Sequence, residues 1–201
     1  MMMTTTTVGG NICIIYSTIW TTSRPGRSPR GLVYQQQQNK RVMLITAHWT
    51  SPAQHKECIA SDLNQKAMAA MTDLIVLSEM RFFHVDGVYM FSSKTLDAGL
   101  VSIARLRVVG SDDDDNKARV EDIWHKRAKM LLPEGHVAGW RIERDEEGGR
   151  RREEYVVVGP WEEESAMTRF ADGTWDGAEV WDGLWMGVLL DWEVTTYRRL
   201  A

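Results

Sequence analysis

One pattern occurs twice in this chain of 201 residues and restricts the possible folds more than any other feature. It is a strand behind a glycine, a polar hairpin, and a second strand that ends in tryptophan and runs into a helix. The first copy reads "GLVYQQ" (Gly31–Gln36), then a polar "QQNKR", then "RVMLITAHW" (Arg41–Trp49). The second reads "GWRIER" (Gly139–Arg144), then "DEEGGRRR", then "EYVVVGPW" (Glu154–Trp161). Apolar, β-branched runs of this length bounded by turn residues are strand signals. From glycine to tryptophan the spacing is 18 in the first copy and 22 in the second, which a longer hairpin loop explains. Glycines beside charged residues in "DEEGGRRR" mark that hairpin strongly.

The segment after each tryptophan reads as a helix. Ser51 suits an N-cap, Pro52 the first helical position, and Gln54 completes a capping box. The spacing predicts one helix to about Met71, burying Cys58, Ile59, Leu63, Ala67, Met68 and Met71 as a single stripe. After Trp161, "EEESAMTRF" places acidic residues at the positive end of a second helix. Each half is also bracketed by strand candidates. These are "NICIIYS" (Asn11–Ser17) and "MRFFHV" (Met80–Val85) in the first, "LVSIARLRVV" (Leu100–Val109) and "WMGVLLDWEV" (Trp185–Val194) in the second. "KARVEDIWHKRAKMLL" is a clear helix whose buried face carries Val120, Ile123, Trp124, Ala128 and Leu131. Each half therefore approximates β-α-β-β-α-β, the ferredoxin-like unit. The boundaries are 11–97 and 98–201. The first half lacks its first helix, because "TIWTTSRPGRSPR" has two prolines and no helical period.

The order "GLVY…VMLITAHWTSPAQHKECIAS…MRFFHV" resembles the antibiotic-biosynthesis monooxygenase (ABM) family. Its members share an apolar third strand ending in Trp-Ser or Trp-Thr-Ser, then a helix with Ala-x-His, here Ala53-Gln54-His55. The resemblance is good over Gly31–Val85. It is weaker over Leu100–Val194, where Ser165-Ala166-Met167 replaces Ala-x-His. It implies an α+β fold of two ferredoxin-like repeats that close an intramolecular, pseudo-dimeric barrel with helices outside. It also implies small-molecule chemistry. The family includes cofactor-independent oxygenases of anthrone-like phenols, decarboxylases, haem-degrading enzymes and proteins without known activity; related barrels catalyse cyclisations.

Several residues are candidates for such chemistry. His48 lies next to Trp49 and so on the opposite face of the strand, and His84 shares a face with Phe82. A histidine facing an apolar cavity can act as general base, deprotonating a phenol or carbon acid whose carbanion reacts with dioxygen. Tyr34 would then donate to the oxyanion. Either histidine can equally be a hydrogen-bonded structural residue. His55, on the first helical turn, suits packing or support. Trp49, Phe82, Trp140, Tyr155 and Trp185 would line a pocket for a flat substrate. The bland alternative is that the tryptophans close corners and fill a satellite core.

Other classes find little support. Net charge is −4 with both signs scattered, so no basic face suggests nucleic acid. Cys13 and Cys58 form no C-x-x-C pattern and read as free thiols of a reducing compartment. His48, His55, His84 and Asp86 have no tight metal spacing, and "SDDDDN" (Ser111–Asn116) lacks the spaced ligands of a calcium loop. "ICIIY" is too short for a membrane span. The expectation is a cytoplasmic protein with no membrane partner, no bound cofactor or metal, and homodimerisation as an option. It would oxygenate a small aromatic, polyketide-like substrate. A non-oxidative cyclase, isomerase or pericyclase and a non-catalytic binding barrel are the alternatives.

Overall fold

The computed structural model describes residues 13–20, 32–49, 51–70, 81–86, 98–108, 114–142, 145–147 and 150–200. The first half contributes strands β1 (Cys13–Trp20), β2 (Leu32–Gln36), β3 (Val42–Trp49) and β4 (Arg81–Asp86). Its helices are α1 (Pro52–Ala60) and α2 (Asp62–Ala70). The second half contributes β5 (Leu100–Val108), helix α3 (Asp114–Lys126), a 3-10 turn at Ala128–Leu131, and β6 (Val137–Arg141). Then come β7 (Asp145–Glu147), β8 (Arg150–Arg152), β9 (Glu154–Trp161), α4 (Glu164–Ala171), α5 (Ala178–Trp185) and β10 (Leu189–Arg199). No helix among the described residues is long and apolar enough to cross a membrane.

The protein is a mixed α+β fold built on one curled sheet. Around it the strands run β1-β3-β2-β10-β5-β9-β6-β4, and β4 pairs again with β1 to close the ring. The second-half order, β10-β5-β9-β6, is antiparallel at every step. In the first half β1 instead runs parallel to both β3 and β4. β2 is antiparallel to β3, so β1 also runs opposite to β2. A helical crossover would set β1 alongside β2; the sequence between the two strands holds two prolines and no helical period.

Two short seams join the halves. At one, Tyr197, Arg198 and Arg199 face Gln36, Gln35 and Tyr34 across β10 and β2. At the other, Val85 and Asp86 face Arg141 and Trp140 across β4 and β6, and the Ile142 amide donates to the His84 carbonyl at 2.7 Å. The hairpin expected at "DEEGGRRR" forms as β7–β8, with Asp145 opposite Arg152 and Glu147 opposite Arg150.

Alternation along each strand sorts the core into two layers. Inside the curl lie Tyr34, Leu44, Val85, Val101, Ile103, Val156, Val158 and Tyr197, all buried. The next inward positions of β5, β6 and β9 are charged. The buried Glu154 carboxylate takes a two-pronged contact from Arg105, at 2.6 and 3.3 Å, and a third from Arg141 at 3.2 Å. Arg105 and Arg107 also reach Glu193, and Arg107 reaches Asp191 at 2.6 Å. Outside the curl a larger core lies under the second-half helices. There Phe170 contacts Trp161, Trp175, Trp181 and Trp192, with ring centroids 5.3–6.0 Å apart.

Two expectations change. The single helix after Trp49 breaks at Ser61. The Ser61 hydroxyl donates to the Cys58 carbonyl at 2.7 Å and accepts the Asn64 amide at 3.3 Å, ending one helix and starting the next. Over the described residues the apolar stripe is also not buried: Leu63 is 81% exposed, and no α2 residue is buried; Met71 lies outside the described residues. "TWDGAEVWDGLW" forms α5, burying Trp181 and Trp185 one turn apart, so the last strand begins at Leu189 and not at Trp185.

Replacing Glu154 with Ala leaves arginines in the interior without their shared carboxylate. It is expected to cost about 3–5 kcal/mol in denaturant unfolding. Leu63→Lys is expected to shift stability by no more than about 0.5 kcal/mol, as for any exposed site.

Candidate functional site

The best-defined polar cluster of the first half lies at the junction of β3 and α1. Ser51 caps α1: its backbone is extended, its hydroxyl accepts the Gln54 amide at 3.1 Å, and Pro52 fills the first helical position. That cap fixes the first turn and so the direction of His55. The His55 ring stacks on Trp49, with centroids 4.6 Å apart and planes 20° apart. From β4 the His84 ring meets His55 edge-on, with His55 Nδ1 and His84 Nε2 only 2.9 Å apart. Each histidine is 4% exposed.

The chemistry of such a pair comes from the inventory of an imidazole. A 2.9 Å N···N contact needs one N–H and one lone pair, so the two rings share a proton between them. If both rings were doubly protonated, two donors and two charges would meet at that distance. The pair therefore takes up at most one extra proton while the contact lasts. It can move a proton from one ring to the other without importing water. The buried Trp49 indole N–H beside it has no acceptor among the described residues and is available to an incoming oxygen.

Of the sequence candidates, the structure brings together Trp49, His55 and His84. It does not bring Tyr34 to them. Val85 belongs to the interior cluster, so His84, its neighbour in the strand, faces outward beneath α1. Tyr34 is 1% exposed inside the curl, packed in the cluster that contains Tyr197. The side chains of His48, Phe82 and Asp86 lie outside the described residues. Trp140, Tyr155 and Trp185 all pack in the outer core of the second half. Trp140 meets Tyr155 edge-on at 4.9 Å, and its indole donates to Glu121 at 2.8 Å. Burial pushes the Tyr155 hydroxyl far above its ordinary pKa, with Glu121 adding to the shift. Among the described residues no group of three or more His, Cys, Asp or Glu side chains could hold a metal ion.

The second half carries the counterpart corner at Trp161, with a histidine, His136, that the sequence did not single out. Trp161, the equivalent of Trp49, has its indole N–H satisfied by the Ser102 hydroxyl at 2.8 Å. His136 meets it edge-on at 5.1 Å. His136 Nδ1 donates to the Pro133 carbonyl at 2.9 Å, and its buried Nε2 has no partner among the described residues. Burial pulls the His136 pKa down to about 4, against a weaker upward pull from the Pro133 carbonyl. Gly159 makes room for this ring, because a Cβ there would lie 2.0 Å from it. This corner is thus a neutral, close-packed histidine, whereas the first-half corner is a proton-sharing pair. A glycine in the middle of the apolar strand "EYVVVGPW" was the available signal.

Comparison with protein-family models, curated proteins and solved structures finds no match for this chain.

Folded His136 titrates near 4 and an unfolded imidazole near 6.5, so between those values the unfolded chain binds the additional proton. Stability from this group is intact above about pH 6.5 and falls by about 3 kcal/mol as the pH drops through 4. Urea midpoints recorded from pH 7 to 4 are expected to fall less steeply in His136→Gln than in the parent. Gly159→Ala is expected to cost about 2–3 kcal/mol, because the His136 ring has to move.

Proposed function

We propose that this chain is a small enzyme that moves a proton with the His55–His84 pair, on a fold of the kind its sequence resembles. In this reading the barrel is two tandem ferredoxin-like repeats, ABM-like, paired within one chain. Two observations support the repeats. Numbered within each half, the strands follow the same order, four-one-three-two. The two seams are also equivalent, each joining strand two of one half to strand four of the other, β2 to β10 and β6 to β4. The reversed β1 is the first repeat's departure from the unit.

The carrying observation is the buried 2.9 Å contact between His55 Nδ1 and His84 Nε2. Two imidazoles held this way form a base that accepts a proton at one ring and passes it to the other. The substrate is a flat phenol or anthrone-like carbon acid, oxidised without a bound cofactor. His84 or His55 removes the proton, the Trp49 N–H holds the phenolate oxygen, and the carbanion reacts with dioxygen. A methylene becomes a carbonyl; one oxygen atom enters the product and the other leaves as water with the two hydrogens. A cytoplasmic setting suits the free Cys58 thiol.

Two other outcomes have support of their own. The same base serves a non-oxidative isomerase or cyclase. The filled interior favours a non-catalytic binding barrel, since Tyr34, Leu44, Tyr197 and five further side chains occupy it.

The test is oxygen uptake by purified protein with a panel of anthrones and related polyphenols, with product masses recorded. Uptake with quinone formation is expected, falling at least about a hundredfold in His84→Gln and His55→Gln and unchanged in His136→Gln. An isomer of unchanged mass without uptake would select the cyclase. Turnover that survives both pair substitutions would overturn the assignment.

A further inference from the structure

β10 is much longer than the strand beside it. It spans Leu189–Arg199, yet β2 pairs with it only at Tyr197–Arg199. The chain leaves the sheet after Gln36 and turns over residues 37–41 to start β3. Toward β5, by contrast, β10 is paired from Leu189 to Arg198. Among the described residues no strand covers Leu189–Thr195 on the side away from β5.

The ladder sets the direction of the main-chain groups on that edge. The Leu200 amide donates toward β2, to the Val33 carbonyl at 2.9 Å, and the Thr196 carbonyl accepts the Gln37 amide at 2.8 Å. The Arg199 amide donates the other way, to Gly99 at 2.9 Å. Even-numbered positions therefore aim at the β2 side, and alternation carries the same row to Val194 and Trp192. Their N–H and C=O groups point off the sheet.

The edge is set between two depressions. One, of about 200 Å³, is lined by Gln37, Gln38, Glu164, Thr168, Asp172 and Thr196. The other, of about 190 Å³, is lined by Asp182, Trp185, Met186 and Leu189–Trp192. On the outer face stand Trp192, Val194 and two exposed apolar side chains, Leu190 at 58% and Met186 at 77%. The other face carries the carboxylates of Asp191 and Glu193, which are 53% and 45% exposed while held by Arg107 and Arg105. Exposed Asp172 and Asp182 stand at the two ends.

We propose that the open edge of β10 receives an extended segment of another polypeptide as an added strand, one that alternates basic and apolar residues. Main-chain hydrogen bonds to Trp192 and Val194 supply affinity, and alternating side chains supply selectivity. The apolar residues lie over Leu190, Trp192 and Val194; the basic ones meet Asp191, Glu193 and the acidic ends. A second copy of this chain is the wrong occupant. Edge-to-edge pairing about β10 would set Glu193 and Asp191 of one copy against those of the other, and like charges directly opposite are destabilising.

The test uses the full chain and a fluorescein-labelled peptide of about eight residues alternating Lys and Val, followed by polarisation and amide hydrogen exchange. Saturable binding is expected, at least tenfold tighter than for a Glu-Val peptide, with exchange at the Trp192 and Val194 amides slowed at least tenfold. Asp172→Lys with Asp182→Lys, both at exposed sites, is expected to weaken binding at least fivefold. Peptides N-methylated on the Lys or on the Val residues test the geometry without altering the protein. One set is expected to abolish binding and the other to retain it. Equal binding of both sets, or of the acidic peptide, would overturn the proposal. So would protection of Val194 that rises with protein concentration alone, which would make the occupant a second copy.

Discussion

The Glu154 carboxylate sits where three elements of the sheet must agree. It stands inside the curl on β9, and guanidinium groups from β5 and β6 close on it. A carboxylate this buried is tolerated only while its partners stay in place. A register slip of one residue on either neighbour would turn Arg105 or Arg141 to the outer face. The contact therefore acts as a pin on the antiparallel half of the barrel. Above it the interior is filled by Tyr34, Tyr197 and aliphatic side chains. On the other side of the sheet is the outer wall, between sheet and helix. The proton-sharing pair is found there, beneath α1 and against Trp49.

Much of this was legible in the sequence, and particular residues show why. The strand-hairpin-strand pattern and the Ser51 cap depend on neighbours a few positions apart, so local rules reach them. The helix break at Ser61 is local too, but a serine inside an apolar period gives no warning that its hydroxyl will take over the backbone groups of both helices. α5 was obscured because its tryptophans suit strands as well as helices. Charge alternation in "SIARLRVV" was a visible sign that β5 turns arginines into the sheet interior. Its partner, Glu154, lies 49 residues away.

The site was half legible for the same reason. His84 could be recognised as a candidate base from its place on a strand. Its partner could not, because His55 lies 29 residues earlier on a helix, and only tertiary packing brings the rings together. Tyr34 suits an oxyanion donor by its hydroxyl and its place on the second strand, and the barrel wall separates it from His84. The corner that repeats at Trp161 makes the contrast physical. Where the indole N–H is spent on Ser102 and the histidine is packed against Gly159, what remains is the buried Nε2 of one neutral imidazole. Where the indole N–H has no acceptor among the described residues and a second imidazole stands opposite, a proton has two places to be.

The four-residue difference between the hairpins bears on the rest of the molecule. In the second half the longer connection forms its own ribbon, β7–β8, beyond β6. In the first half the chain has no length for this and turns back directly after β2. A seam strand of five residues then faces a strand of eleven, so among the described residues most of β10 has no partner strand on that side. Exposed sheet edges invite indiscriminate pairing, and charges placed along them limit it. Asp191 and Glu193 are such charges, and the arginines that bind them from β5 keep them in position. The same residues that hold the interior layer together thus set which strands the open edge can accept.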